Sequence, residues 1–138
     1  VGDWELVGGE RLGEQVEAMQ AVPFVRYGVS SGGHSVTEEL FVDTPREMLS
    51  VYYIDAGKLK MDHYCSLGNQ PRMVAYPGDT DYFDFHLVGI SNLKGDNELH
   101  ISSHALELTG PDELTMYWGA TKDQSPSQGS RYILKRMR

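Results

Sequence analysis

The sequence has a single cysteine, Cys65, among 138 residues. One cysteine excludes an internal disulfide, a Cys-x-x-Cys redox pair and a zinc site built from thiolates. Positive charge is also scarce, because 12 Lys and Arg stand against 20 Asp and Glu, for a formal net charge of −8. Nucleic acids and anionic membrane surfaces attract clustered cations, so this charge balance argues against both as partners.

Long apolar runs and catalytic motifs are absent as well. No stretch approaches the ~20 apolar residues of a transmembrane helix, so membrane insertion is not expected. The chain contains no G-x-S-x-G, G-x-G-x-x-G, P-loop or H-E-x-x-H motif. Glu38 and Glu39 are adjacent and fall on opposite faces of a strand, whereas His100 and His104 would lie ~13 Å apart along one. These spacings favour neither a carboxylate pair nor a metal site, and we predict no cofactor.

The length corresponds to one domain, 1–138, since a domain averages ~150 residues. The first residue is Val1, and a removed signal peptide and a shortened sequence would look the same at this position. The sequence leaves the compartment open, with the cytoplasm favoured over export after removal of a signal peptide. A monomer and a homodimer are both compatible with the sequence.

Turn signals recur every 10 to 15 residues or so, which favours strands over helices. The clearest strand is Lys58–Cys65, where Leu59, Met61, His63 and Cys65 alternate with polar neighbours. Only the stretch between Leu12 and Met19 is ambiguous, because its apolar spacing fits a short helix or a strand. The other predicted strands are Trp4–Val7, Phe24–Ser30, Ser35–Val42, Met48–Asp55, Arg72–Tyr76, Tyr82–Val88, Glu98–Thr109, Glu113–Gly119 and Arg131–Met137.

About ten short strands joined by hairpins must protect their edges, and closure of the sheet does this. The sequence therefore predicts an all-β fold: an antiparallel up-and-down β-barrel, lipocalin/calycin-like, with a sandwich as the alternative. A barrel of this size can hold one small ligand.

Two turns predict which side chains meet in the barrel wall. A two-residue turn at Ala56-Gly57 pairs Ser50 with His63 and Tyr52 with Met61. A two-residue turn at Gly68-Asn69 pairs Cys65 with Arg72 and His63 with Val74. Together the two registers place four polar side chains on an otherwise apolar wall: Ser50, His63, Cys65 and Arg72. The predicted ligand-binding residues are Ser50, Tyr52, Met61, His63, Cys65, Arg72, Val74, His104, Met116 and Trp118.

These residues predict the binding of a small, largely apolar ligand, with Arg72 suited to an anionic head group. One alternative is a small enzyme in which His63 acts as a base or Cys65 as a nucleophile, activated by a neighbouring Arg or His⁺. Another alternative is a haem-binding barrel with a histidine as axial ligand. Unpaired cysteines are more often packed than reactive, so we favour binding over catalysis.

The segment His63–Cys65, followed by Gly68–Met73, resembles a group of small bacterial proteins with lipocalin-like (calycin) β-barrels. The pattern also includes Trp4, a Ser31–Gly33 hairpin leading to Phe41, and Thr44–Met48, where Arg46 replaces the usual His. Later matches are Ser91–Leu93, His104 and the Leu114 to Trp118 strand, with Ser102 in place of a first His. The resemblance implies a barrel of about ten strands, akin to nitrobindin and fatty-acid-binding proteins. It implies no particular reaction.

Overall fold

A computed structural model describes residues 1–138, and nearly all of its regular structure is β-strand. The only helical segment is a short 3₁₀ turn, Ser31–Gly33. The structure has no helix of the length and hydrophobicity that a membrane crossing requires. The strands are β1 (Gly2–Arg11), β2 (Glu14–Gln15), β3 (Val25–Ser30), β4 (Ser35–Leu40), β5 (Met48–Asp55), β6 (Lys58–Tyr64), β7 (Gln70–Ala75), β8 (Tyr82–Ser91), β9 (His100–Gly110), β10 (Glu113–Lys122), β11 (Ser125–Pro126) and β12 (Ser130–Arg136).

Ten of these strands form a closed antiparallel barrel. Neighbours in sequence pair with one another from β3 to β10, and β12 closes the sheet by pairing with both β10 and β1. The two-residue strands β2 and β11 lie beside β1 and β10. Closure gives every long strand two partners, so no long edge is exposed. The predicted all-β, up-and-down barrel is confirmed, and the sandwich alternative is wrong.

Inward-facing side chains fill most of the barrel. Fourteen buried hydrophobic residues form one continuous cluster, contributed by strands all around the wall. The members with no more than 2% exposure are Leu6, Val25, Leu40, Met61, Met73, Phe85, Met116 and Leu134. A small closed barrel has an interior that side chains can fill, and this barrel follows that pattern except at the two places described below.

The hairpin between β5 and β6 has the predicted register. Ala56 and Gly57 both have positive φ, 50° and 77°, as the central residues of a two-residue type I′ turn require. The turn brings Ser50 opposite His63, Tyr52 opposite Met61 and Asp55 opposite Lys58.

The hairpin between β6 and β7 differs from the prediction. Its turn has three residues, Ser66–Gly68, closed by Gly68 N–H donating to the Cys65 carbonyl at 3.0 Å and Cys65 N–H donating to the Asn69 carbonyl at 3.2 Å. Gly68 has φ 92°, the left-handed geometry that a glycine supplies at the end of such a loop. Met61 therefore lies opposite Met73.

This change of register moves two predicted ligand-binding residues to the other face of the sheet. The predicted pairing and the observed one differ by an odd number of residues, which reverses the face of every side chain in β7. Met73 points inward and is 1% exposed, whereas Arg72 and Val74 lie on the outer wall. The prediction that Arg72 and Val74 line the lumen is wrong.

The ambiguous stretch after Leu12 follows the strand alternative. Glu14–Gln15 pairs with the end of β1, and Met19 N–H donates to the Leu6 carbonyl at 2.8 Å. Val16 N–H donates to the Gly9 carbonyl at 3.1 Å. The segment thus runs antiparallel to β1 with only intermittent hydrogen bonds, and no helix forms.

The observed register predicts a large loss of stability when Met73 is truncated and a small loss when its neighbour Val74 is truncated. Met73→Ala should lower the free energy of unfolding by ~2–5 kcal/mol, because it removes a buried side chain and leaves a cavity. Val74→Ala should cost about 1 kcal/mol or less, because Val74 lies on the outer wall. Urea unfolding followed by tryptophan fluorescence measures both. A larger loss of stability for Val74→Ala than for Met73→Ala would contradict this register and support the two-residue turn at Gly68-Asn69.

Candidate functional site

The larger opening in the barrel lies at the end where the chain begins and ends. We call it the mouth cavity, and it has a volume of about 680 Å³. Six of its lining residues are large side chains that face inward from strands around the barrel: Trp4, Tyr27, Val36, Phe83, Leu106 and Leu114. Trp4 and Leu114 are 5% and 3% exposed, so they form its floor. Both the volume and the apolar lining are typical of small-molecule sites.

Positive charge at the mouth cavity is already paired. Arg136 lies at the rim with its guanidinium carbon 4.5 Å from the centre of the Trp4 ring. Its Nε donates to Asp112 at 3.0 Å, and its Nη1 donates to the Val1 carbonyl. Asp81 adds a negative charge to the same lining. Arg136, the one positively charged side chain in the lining, is therefore not free to pair with an anionic group.

A chain of buried polar side chains starts at the wall of the mouth cavity. The Tyr27 hydroxyl donates to Glu38 Oε2 at 2.6 Å. Glu38 is fully buried, and the Tyr52 hydroxyl oxygen lies 3.0 Å from the same Oε2. Tyr52 also lies 2.8 Å from Nε2 of His104, and His104 Nδ1 donates to the Tyr117 carbonyl at 3.0 Å.

Burial decides the protonation states along this chain. Desolvation raises the pKa of Glu38, and the hydroxyls of Tyr27, Ser50 and Tyr52 only partly oppose it. Desolvation also lowers the pKa of His104 to about 3, although its bond to the Tyr117 carbonyl favours the proton. His104 is therefore neutral near pH 7, and Glu38 keeps its proton to a higher pH than an exposed carboxyl does.

These states fix the direction of each hydrogen bond. His104 holds its proton on Nδ1, because a carbonyl can only accept, so Nε2 accepts from Tyr52. The single proton of Tyr52 is used when it donates to His104, so its 3.0 Å contact with Glu38 Oε2 is then a hydrogen bond only if the Glu38 carboxyl is protonated and donates. With Glu38 protonated, a continuous series of donors runs from Tyr27 through Glu38 and Tyr52 to His104 and the backbone.

A second buried histidine lies on the other side of this chain. His63 Nδ1 is 2.9 Å from the Ser50 hydroxyl, and Ser50 faces Glu38 across β4 and β5. Burial lowers the pKa of His63 to about 4, so its imidazole is neutral. The Trp118 ring lies between the two histidines, with centroids 3.7 Å from His104 and 4.9 Å from His63. Nε2 of His63 is buried and has no hydrogen-bond partner.

The space next to His63 is a small second cavity, which we call the inner cavity. Its volume is about 110 Å³. It shares no lining residue with the mouth cavity. Its lining consists of Leu40, Phe41, Met48, His63, Ile101, Trp118, Ser130 and Tyr132.

The structure brings most of the predicted site residues together inside the barrel and leaves three outside that cluster. Ser50, Tyr52, Met61, His63, His104, Met116 and Trp118 all lie in the interior. Arg72 and Val74 are on the outer wall, as described above. Cys65 is half-buried next to Met48, with its Sγ 3.9 Å from the Met48 sulfur. Desolvation raises the pKa of the Cys65 thiol, and no cation lies beside it to favour a thiolate.

Two central residues, Glu38 and Tyr27, are missing from the predicted site. A signal for Glu38 was present, because Val36, Glu38 and Leu40 alternate on one face of β4 and both apolar neighbours point inward. Taken with Glu39 as a carboxylate pair, Glu38 is dismissed by its spacing, whereas on its own it carries this signal. A single acidic residue on an apolar face is an independent indication of a buried polar network.

No three side chains among His, Cys, Asp and Glu converge in a way that could hold a metal ion. No protein-family model, curated protein or solved structure matches the chain.

Glu38→Gln tests the raised pKa of Glu38. Because its pKa is raised, the carboxyl keeps its proton to a higher pH in the folded protein than in the unfolded chain, where it ionises around its ordinary pKa of ~4.3. Above that pH, wild-type stability should therefore fall relative to Glu38→Gln as the pH rises, by up to about 1.4 kcal/mol per pH unit, until the carboxyl ionises in the folded protein as well. Urea unfolding at a series of pH values gives the difference.

Glu39→Gln is the matched control, because Glu39 follows Glu38 directly but faces outward beside Arg26. It should follow the wild-type curve across the same range. A constant difference between wild type and Glu38→Gln would mean that Glu38 is ionised in the folded protein.

His63→Gln tests the lowered pKa of His63. The unfolded chain takes up a proton as the pH falls below ~6.5, while the folded protein keeps His63 neutral down to a pKa of about 4. Stability is thus lost on acidification, and the variant should reduce that slope by up to about 1.4 kcal/mol per pH unit between pH 6 and 4.5. His34→Gln, at an exposed histidine, should keep the wild-type slope. An unchanged slope for His63→Gln would show that His63 titrates alike in both states.

Proposed function

We propose that this barrel binds a small, neutral, largely apolar molecule in the mouth cavity. The observation that carries the proposal is the cavity of about 680 Å³, lined mainly by inward-facing apolar and aromatic side chains. The interior below it is packed, so a ligand enters only part of the lumen. Fatty-acid-binding and lipocalin-like barrels, which the sequence resembles, also hold apolar ligands within the sheet.

The polar contact expected of this ligand comes from Tyr27. The hydroxyl proton of Tyr27 is directed to Glu38, so its oxygen can only accept a further hydrogen bond. A ligand with one N–H or O–H group next to an apolar body fits this arrangement. The anionic head group expected from the sequence is no longer favoured, because Arg72 lies on the outer wall and Arg136 is paired with Asp112.

No observation supports the enzyme alternative or the haem alternative as strongly as the mouth cavity supports the binding of an apolar ligand. The inner cavity of about 110 Å³ is smaller than the ~150 Å³ cavity that accommodates benzene, so His63 has no room for a macrocycle at its free nitrogen. Both nitrogens of His104 already have partners. The environment of Cys65 lacks the cation that would activate it as a nucleophile.

Titration with N-phenyl-1-naphthylamine tests the proposed function. This fluorescent probe is neutral and apolar and carries one N–H group. It should bind the wild-type protein with enhanced emission, and Leu106→Trp should weaken that binding at least tenfold because the larger ring fills the mouth cavity. The readout is the dissociation constant from the fluorescence titration.

The matched control places the same tryptophan on the outer wall. Val88 is 58% exposed on β8, so Val88→Trp should leave the affinity within about twofold of wild type. Equal weakening by both variants, or no binding to the wild-type protein, would overturn the proposal. Unchanged binding to Leu106→Trp would place the probe outside the mouth cavity and would contradict it as well.

A further inference from the structure

A single carboxylate neutralises the only positively charged side chain that lines the mouth cavity. Arg136, on β12, lies at the rim of this cavity, and 31% of its side chain is exposed. Its Nε donates to Asp112 Oδ1 at 3.0 Å. Asp112 belongs to the turn between β9 and β10, and β10 is the neighbour of β12 in the sheet. The guanidinium is thus accessible to a ligand, but its charge is already used within the protein.

The position of Arg136 does not depend on the Asp112 carboxylate alone. Its guanidinium carbon lies 4.5 Å from the centre of the Trp4 ring, a cation–π contact with the floor of the mouth cavity. Its Nη1 donates to the Val1 carbonyl, and its backbone N–H donates to the Asp112 carbonyl at 2.9 Å. Removal of the negative charge of Asp112 should therefore leave Arg136 at the rim with an uncompensated positive charge.

The Asp112 carboxylate is held in its place by a second cation. Arg138 Nη2 donates to Oδ2 of Asp112, while Arg136 binds Oδ1. Arg138 is 77% exposed and does not line the mouth cavity. Hydrogen bonds from Arg138 and Arg136 keep the pKa of the Asp112 carboxyl below its usual range, so Asp112 is ionised at pH 7. An anionic group that approached Arg136 would meet this fixed negative charge.

We propose that Asp112 determines the charge specificity of the mouth cavity, because it occupies the place on Arg136 that the anionic group of a ligand would take. The site then selects neutral apolar molecules over anionic molecules of the same shape. This inference rests on the proposed function and adds the residue that sets its selectivity. Without the charge of Asp112, the cavity should also accept a carboxylate or a sulfonate, since arginine binds such groups through charge-assisted hydrogen bonds.

Two fluorescent probes with the same rings and the same N–H group test the proposal. N-phenyl-1-naphthylamine is neutral, whereas 8-anilinonaphthalene-1-sulfonate carries one sulfonate. The wild-type protein should bind the neutral probe about tenfold more tightly than the sulfonate. Asp112→Asn keeps the size of the side chain and removes its charge, so it should tighten sulfonate binding about fivefold, or about 1 kcal/mol, and leave the neutral probe within about twofold. The gain should shrink at high salt, which screens charges at the rim.

Two further variants separate Asp112 from a general effect of charge. Asp81→Asn removes one negative charge from the lining without touching the partners of Arg136, so it should change sulfonate binding less than about twofold. Adding Arg136→Gln to Asp112→Asn should abolish the gain.

Three results would overturn the inference while the neutral probe still binds the wild-type protein. These are unchanged sulfonate binding in Asp112→Asn, an equal gain in Asp81→Asn, and a gain that survives Arg136→Gln. Absence of neutral-probe binding to the wild-type protein would overturn the proposed function, and this inference with it.

Discussion

The buried carboxyl of Glu38 is the constraint on which the interior depends. A carboxyl in an apolar core is stable only when hydrogen bonds replace water, and here two neighbouring strands provide them. The hydroxyls that contact Glu38 Oε2 belong to Tyr27, directly opposite Glu38 on β3, and to Tyr52 on β5. A shift of one residue in either pairing would turn these partners to the outer face. The cost of leaving Glu38 unsatisfied therefore specifies the register of three adjacent strands.

The same group also links opposite walls of the barrel. Tyr52 extends from β5 across the lumen to His104 on β9, 52 residues further along the chain. That contact forms only when the sheet has closed, so it depends on the whole barrel and not on one hairpin. Trp118 on β10 then stacks on His104 and reaches His63 on β6. This network of buried polar side chains and the Trp118 ring lie between the mouth cavity and the inner cavity.

Local sequence patterns predict local geometry in this protein, but they do not show which residues meet across the closed barrel. Alternation along Lys58–Cys65 and the pair Ala56-Gly57 correctly predict a hairpin, because a type I′ turn fixes the register by itself. Gly68-Asn69 gives a similar signal but belongs to a three-residue turn with glycine last, and this difference removes Arg72 from the lumen. The contact between Tyr52 and His104 has no local signal, since closure determines which residues meet across the barrel.

The directions of the pKa shifts indicate what the network does. Burial raises the pKa of Glu38 and lowers the pKa of His104, so moving a proton from Glu38 through Tyr52 to His104 would create two charges in an apolar interior. Burial opposes that proton transfer, so each hydrogen bond keeps the same donor and the same acceptor. A network of this kind orients groups instead of relaying protons. The Tyr27 proton is committed to Glu38, which is why the ligand proposed for the mouth cavity is a donor.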